Sequence, residues 1–190
     1  MIYLVRHAKS LYNPDIPEQE RILSSEGKKQ AKDLIKKLEP LNIEKIYSSP
    51  AKRAIDTIAP FAKDGPARRS RRRRRVGLEI ELIPEFRECT MQPCKSFEEW
   101  KRFVKKSWED FNFKPEGWES SLECQIRVCK KIEELGIKDL QKNIVINSHG
   151  RVISLFLNKI NNSWGFDQWE KLPMPAIVKV CLKTGAICEL

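Results

Sequence analysis

Apolar and polar residues follow one another along the chain in a pattern that predicts strands separated by helices. Four short runs rich in β-branched and aromatic residues are typical of buried strands; they cover residues 2–5, 43–49, 77–83 and 143–148. Apolar residues that recur every three to four positions predict helices over residues 24–38, 49–62, 96–113 and 119–135 and from residue 150. Residues 176–190 predict a β-hairpin that turns at Thr184 and Gly185.

Strands that alternate with helices build βαβ units, and such units form a mainly parallel sheet covered on both faces. We therefore expect an α/β fold, a three-layer α/β/α sandwich with a mostly parallel sheet. The chain has 190 residues, of which 41% are apolar and 33% charged. These values are typical of one globular domain, which we expect to span residues 1–190.

The cysteines favour a reduced, cytoplasmic protein. None of the six forms a CxxC pair, and no histidine lies near them in sequence, so we expect neither a zinc site nor a disulfide framework. No stretch approaches the roughly eighteen uncharged apolar residues of a membrane-spanning helix. The short apolar run at the start leads directly into Arg6 and Lys9. We therefore expect no targeting segment, no membrane span and a cytoplasmic location.

The basic character of the chain comes from one segment. The formal net charge is +10, but residues 67–76 contain seven arginines and no acid, and without those arginines the charge falls to +3. We expect a basic, disordered insertion at about residues 65–76. Two alternatives stay open: contact of Arg68–Arg75 with nucleic acid or an anionic membrane, and an anomaly of the sequence. The rest of the chain predicts no nucleic-acid contact.

Histidines and arginines follow three of the predicted strands. His7 comes directly after the first strand, with Arg6 before it, and His149 comes directly after the fourth, with Arg151 two residues beyond. Arg53 lies in the first turn of the helix after the second strand. Ligands of open parallel sheets gather beyond the carboxyl ends of the strands. Guanidinium and imidazole groups at one sheet edge predict a pocket for a phosphate dianion.

Five motifs in this order resemble the histidine phosphatase superfamily, also called phosphoglycerate mutase-like. They are LVRHAKSLYN, ILSSEGKKQAKDL, IYSSPAKRAIDTI, GWESSLECQIRV and INSHGRVI. The resemblance extends over essentially the whole chain and implies the phosphoglycerate mutase-like sandwich. It also implies a phosphatase that hydrolyses small phosphomonoesters without a metal or other cofactor.

The resemblance implies a role for each matching residue. His7 would be the nucleophile, which takes the phosphoryl group and becomes phosphohistidine. Arg6, Arg53 and His149 would bind the phosphate, and Asn13 would be a further ligand at the mouth of the pocket.

The proton donor is expected after the third strand, in IPEFREC. In-line transfer requires an acid to protonate the leaving oxygen. Glu88 fits the family spacing, and Glu85 is the competing candidate. Ser120 stands where the family supports the site, but it also fits the first position before a helix.

Three other functions compete with phosphomonoester hydrolysis. RHAKS resembles the phosphohistidine phosphatase branch, which lacks the glutamate donor, so the presence of EFREC favours phosphomonoesters. The first loop, NPDIPEQER, lacks the Gly-Trp pair of the mutase subgroup, so we prefer a phosphatase to a phosphoglycerate mutase-type phosphotransferase. A catalytically silent module that recognises phosphate is the non-enzymatic alternative.

Overall fold

A mostly parallel sheet lies at the centre of the fold. The structure, a computed structural model, describes residues 1–64, 77–92, 94–139 and 141–190. Within them the sheet has six strands in the order β3-β2-β4-β1-β5-β6. Their bounds are β1 Ile2–Arg6, β2 Lys45–Ser48, β3 Ile80–Leu82, β4 Ile144–Ser148, β5 Ala176–Cys181 and β6 Ala186–Glu189. The predicted insertion at 65–76 lies outside the described residues.

Six α-helices of the described residues connect the strands and cover the sheet. Their bounds are α1 Ser25–Leu38, α2 Lys52–Asp64, α3 Phe97–Glu109, α4 Ser121–Lys138, α5 Gly150–Ile160 and α6 Phe166–Lys171. Short 3-10 helices precede α1, follow it and follow β3. No helix in the described part of the chain is long and apolar enough to span a membrane.

Alternate side chains of the strands enter separate cores on the two faces of the sheet. The core on the face of α4 and α5 includes Ile2, Leu4, Val128, Ile132 and Leu155. The core on the face of α1 and α2 includes Tyr3, Val5, Leu34, Ile58 and Phe61. Burying each such side chain contributes roughly 1.5–3 kcal/mol. The three-layer α/β/α sandwich predicted from the sequence is therefore confirmed.

The structure differs from the sequence prediction in the outer elements. The hairpin β5–β6 is confirmed, with Gly185 at φ +69° in its turn, but β5 pairs antiparallel with β1. The predicted helix over 96–113 ends at Glu109 because Asp110 is extended. Helix α6 was not predicted. It has only six residues, and Trp169 within it packs against Trp100 of α3.

The register of the central strands determines where the polar residues meet. β1 and β2 both run parallel to β4, with Arg6 opposite Ser148 and Ser48 opposite Asn147. Because parallel strands share a carboxyl edge, the residues that follow β1, β2 and β4 emerge side by side. The edge predicted to hold the phosphate pocket is thus built by three adjacent strands.

Candidate active site

Arg53 connects two histidine rings that follow neighbouring strands. Its Nε donates to Nε2 of His7 at 3.1 Å, and its Nη2 lies 2.8 Å from Nδ1 of His149. The two imidazole rings meet edge to face, with centroids 5.2 Å apart. The structure therefore brings together three of the residues that the sequence analysis assigned to the site.

The hydrogen bonds of His7 define its tautomer. Nδ1 lies 2.7 Å from the carbonyl oxygen of Ala8, which only accepts, so Nδ1 carries the proton and Nε2 keeps a lone pair. Burial, together with the positive charges of Arg53 and Arg6, lowers the pKa of His7 to about 3 despite the opposing effect of the Ala8 carbonyl. His7 is therefore a neutral imidazole at pH 7, with Nε2 available as a nucleophile.

His149 is also neutral and has the opposite tautomer. Arg53 can only donate, so Nδ1 of His149 accepts, and Nε2 donates to Oγ of Ser49 at 2.8 Å. The ring is fully buried. Burial, followed by the charge of Arg53, holds the pKa of His149 well below its usual value. The site thus contains two uncharged imidazoles beside one guanidinium.

The SSPAKR segment and Thr57 place Arg53 at the sheet edge. Oγ of Ser49 accepts from the N–H of Ala51 at 3.2 Å, which turns the chain from β2 into α2. Arg53 is the second residue of α2 and only 4% exposed. Oγ1 of Thr57 accepts from the N–H of Ala8 at 2.9 Å and donates to the carbonyl of Arg53 at 2.7 Å. Thr57 therefore joins the loop of His7 to the helix of Arg53.

Arg6 provides a second guanidinium beside Gly150. Its Nη1 donates to the carbonyl of Leu172, and its Nε has no hydrogen-bond partner among the described residues. A Cβ at position 150 would lie 3.0 Å from the guanidinium carbon of Arg6, so a larger residue there would crowd this guanidinium. Burial lowers the pKa of Arg6, and Glu88 opposes this effect.

The two candidate proton donors have different surroundings. Glu85 forms an ion pair with Lys131 at 3.4 Å, and its side chain is 39% exposed. Glu88 accepts from the backbone N–H of Cys89 at 2.9 Å. Burial raises the pKa of Glu88, and this bond and the nearby arginines offset the effect only in part. The structure thus places Glu88 among the charges of the site and Glu85 on the surface.

A partly buried ion-pair cluster, which the sequence did not predict, supports the backbone around Glu88. Arg127 donates to the carbonyls of Glu85 and, at 3.1 Å, Arg87. It also pairs with Glu119 at 2.6 Å, and Arg87 reaches the same carboxylate at 3.0 Å. Although burial alone would raise it, the bonds from Arg127 and Arg87 lower the pKa of Glu119 to about 2. The signal available in the sequence is that Arg127 lies between the buried apolar positions Cys124 and Val128 of α4.

Two cysteines far apart in sequence meet behind this cluster. The Sγ atoms of Cys89 and Cys124 lie 2.7 Å apart, and both thiols are free. With Glu119 they form a group of metal-ligand types whose ligand atoms lie within 4.8 Å of one another. Arg127 already supplies a cation there, since Nη2 lies 2.8 Å from the Glu119 carboxylate and 3.5 Å from Sγ of Cys124. The spacing of the cysteines along the chain did not predict this contact.

The loop between β1 and α1 brings the carboxylate of Glu18 to the guanidinium of Arg53. Nη1 of Arg53 donates to the backbone carbonyl of Glu18 at 2.6 Å, and Nη2 pairs with the Glu18 carboxylate. Glu18 was not predicted because it lies in a proline-containing loop without periodicity. Asn13 accepts from the N–H of Asp15 at 2.9 Å, and within the described residues no hydrogen bond joins it to Arg53. Its role as a ligand stays a prediction.

Comparison with solved structures supports the same fold. A mutant phosphoserine phosphatase from Entamoeba histolytica, in complex with phosphoserine, is 22% identical and matches with a TM-score of 0.72 over 99% of this chain and 93% of that chain. A mycobacterial glucosyl-3-phosphoglycerate phosphatase in complex with VO3 is 18% identical, with a TM-score of 0.71 over 100% and 95%. YhfR of Bacillus stearothermophilus is 19% identical, with a TM-score of 0.70 over 99% and 94%.

Sequence comparison identifies the family. No curated protein matches this chain significantly. Residues 2–184 match the family model of the histidine phosphatase superfamily (branch 1). This match includes both histidines and the arginine that joins them. The chain is thus a phosphatase that belongs to branch 1 of the histidine phosphatase superfamily.

Proposed function

We propose that this enzyme hydrolyses small phosphomonoesters in two steps through a phosphohistidine on His7. The observation that carries the proposal is the neutral His7 ring, whose Nδ1–H is directed to Ala8 and whose Nε2 lone pair is in contact with Arg53. A nucleophile of this kind is already deprotonated at neutral pH. Guanidinium groups next to it fit the oxygens of a phosphoryl group.

In the first step, Nε2 of His7 attacks phosphorus while the bond from phosphorus to the ester oxygen breaks. Burial raises the pKa of Glu88, which favours its protonated form, and in this step Glu88 gives a proton to the leaving oxygen. Arg6, Arg53 and His149 stabilise the charge that spreads over the equatorial oxygens. Arg53 exchanges its bonds to His7 and Glu18 for bonds to the phosphoryl oxygens.

In the second step, water attacks the phosphorus of phosphohistidine and the P–N bond breaks. The Glu88 carboxylate takes the proton of that water, which returns the acid to its initial state and releases inorganic phosphate. The arginines supply the positive charge, so the proposed reaction needs no metal. The need for an acid distinguishes this reaction from phosphohistidine hydrolysis, whose leaving group is already good. The cytoplasmic location stays part of the proposal, on the sequence argument alone.

The test uses the fact that the chain has two histidines. Brief reaction with a labelled phosphomonoester, followed by denaturing quench, should trap an acid-labile phosphoenzyme in the wild type and in His149→Asn. The label should be absent from His7→Asn, which should also lose hydrolysis of p-nitrophenyl phosphate. Lys9→Ala is the matched control, because Lys9 forms only an exposed ion pair with Glu26 through its side chain. Label retained in His7→Asn would contradict the proposal, and a wild type inactive toward every phosphomonoester would favour a silent phosphate-recognising module.

A further inference from the structure

Arg151 is a buried positive charge that the proposed reaction does not use. It is the second residue of α5 and only 2% exposed. Its Nη2 lies 3.1 Å from Oγ of Ser107 and 3.3 Å from Oγ of Ser121, and its Nη1 lies 3.3 Å from Sδ of Met91. Its Nε has no partner within the described residues. All three acceptors are neutral.

Three other arginines near the site each form an ion pair with a carboxylate, whereas Arg151 forms none with a described residue. Arg53 pairs with Glu18, and Arg87 and Arg127 pair with Glu119. Arg151 has no carboxylate within ion-pair distance in the described part of the chain, and a buried charge without a counter-ion is unfavourable. Arg6 shares this state: it contacts only a backbone carbonyl, and its Nε is also unpartnered.

The contacts of Arg151 place it beside the segment that follows Glu88. Met91 comes three residues after Glu88, Ser107 belongs to α3 and Ser121 begins α4. Arg151 makes no hydrogen bond to His7, Arg53 or His149 among the described residues. Its charge nevertheless acts on Glu88, whose pKa it lowers against the larger effect of burial. Since Glu88 protonates the leaving oxygen in the proposed reaction, a group beyond it faces the leaving group.

We infer that Arg151 is a specificity-determining residue that binds a second anionic group, a carboxylate, on the leaving group of the substrate. This inference rests on the proposed function. It makes the preferred substrates phosphomonoesters of small hydroxy acids, because the phosphoryl group and the carboxylate must reach Arg6 and Arg151, whose charges both interact with that of Glu88. The planar guanidinium fits a carboxylate through two parallel N–H bonds once it releases its weak acceptor, the Met91 thioether.

The matched substrates are 2-phospholactate and isopropyl phosphate, which differ by a carboxylate in place of a methyl group. Their intrinsic reactivities differ, so the informative quantity is the change in the ratio of their kcat/KM values between enzymes. We expect Arg151→Met to lower the ratio, phospholactate over isopropyl phosphate, by about 10- to 100-fold, the range of a charge-assisted hydrogen bond. Arg151→Lys, which keeps the charge but loses the fork, should lie between.

Two further arms keep the inference falsifiable. Propane-1,2-diol bisphosphate tests whether the second anion is a phosphate rather than a carboxylate. If Arg151→Met lowers kcat/KM relative to isopropyl phosphate only for this bisphosphate, and not for 2-phospholactate, the assignment of a carboxylate is overturned. If Arg151→Met does not fold, Arg151→Lys and Ser107→Ala, which removes one anchor of the guanidinium, are compared instead. An unchanged ratio of kcat/KM values in the variants overturns the inference, while hydrolysis of p-nitrophenyl phosphate still supports the proposed function. Loss of all hydrolysis by the wild type would instead reject the proposed function.

Discussion

At the scale of single residues, the environment of Glu88 determines how the reaction responds to pH. Its buried carboxyl has a raised pKa, and the proposed acid works only while protonated. We expect kcat for an alkyl phosphate to fall as pH rises through this raised pKa. Glu88→Gln should remove this alkaline decrease and lower kcat by about 10²- to 10⁴-fold, the usual contribution of a general acid.

The size of this loss should depend on the leaving group. p-Nitrophenolate leaves without protonation, so Glu88→Gln should lower kcat/KM, which reports the phosphorylation of His7, much less for p-nitrophenyl phosphate than for an alkyl phosphate. Glu85→Gln is the matched control, because Glu85 pairs with Lys131 on the surface, and it should keep the wild-type profile. Equal losses of kcat/KM with both substrates would exclude Glu88 as the acid, as would an alkaline decrease that persists in Glu88→Gln.

The residues of the site differed in how far the sequence could predict them. His7 and His149 follow apolar strands directly, and the polarity change marks them without knowledge of the fold. Arg53 could be predicted because a proline-containing turn starts its helix at a fixed distance from the strand. Arg127 and Glu18 were missed, since their contacts to Glu88 and Arg53 join segments whose approach depends on tertiary packing alone.

At the scale of elements, the loop between β1 and α1 would compete with the substrate for Arg53 in the proposed reaction. The Glu18 carboxylate and carbonyl occupy both Nη groups of this arginine, and phosphate binding must displace them. We therefore expect Glu18→Gln to lower KM for p-nitrophenyl phosphate by about two- to fivefold, the range of a partly exposed ion pair. The KM of Glu20→Gln should not change, because Glu20 is exposed in the same short helix and forms no ion pair with a described residue. A higher KM in Glu18→Gln would show that Glu18 orients Arg53 for the substrate.

The starts of α3 and α4 could be predicted from their capping side chains, whereas the existence of α6 could not be predicted from the sequence. Oγ of Ser96 and of Ser120 accept from backbone N–H groups at the starts of α3 and α4, and Ser120 forms a capping box with Glu123. These signals are local, so the sequence contains them. Helix α6 is too short for its apolar residues to show a helical period. Its Trp169 packs against Trp100 of α3. Its formation depends on a long-range contact that periodicity cannot show.

At the scale of the whole molecule, the two buried histidines connect folding to pH. Burial and Arg53 lower their pKa values in the folded protein, that of His7 from 6.5 to about 3. The unfolded chain therefore binds protons that the folded protein does not, and stability present above pH 6.5 is lost as pH falls. Each histidine contributes up to about 1.4 kcal/mol per pH unit to this loss.

Urea unfolding at several pH values between 5 and 8 measures this connection. His7→Asn should reduce the proton uptake on unfolding by up to one below pH 6.5, relative to the wild type. Comparison of the two proteins cancels the contribution of carboxylates such as Glu88. The same dependence of the unfolding free energy on pH in both would mean that His7 is protonated in the folded protein.

If His7 is the nucleophile, as proposed, the bond from Arg53 to its Nε2 should also shield it from reagents other than phosphate esters. While the guanidinium N–H engages the lone pair, an uncharged acylating reagent such as diethyl pyrocarbonate meets an imidazole that is already occupied. In the proposed reaction, in contrast, a phosphate dianion would draw Arg53 onto its own oxygens and free the ring. In Arg53→Met we expect faster acylation of His7, measured by mass spectrometry. The same variant should release phosphate from substrate more slowly. The same arginine would then favour the intended substrate and protect the enzyme from unwanted electrophiles.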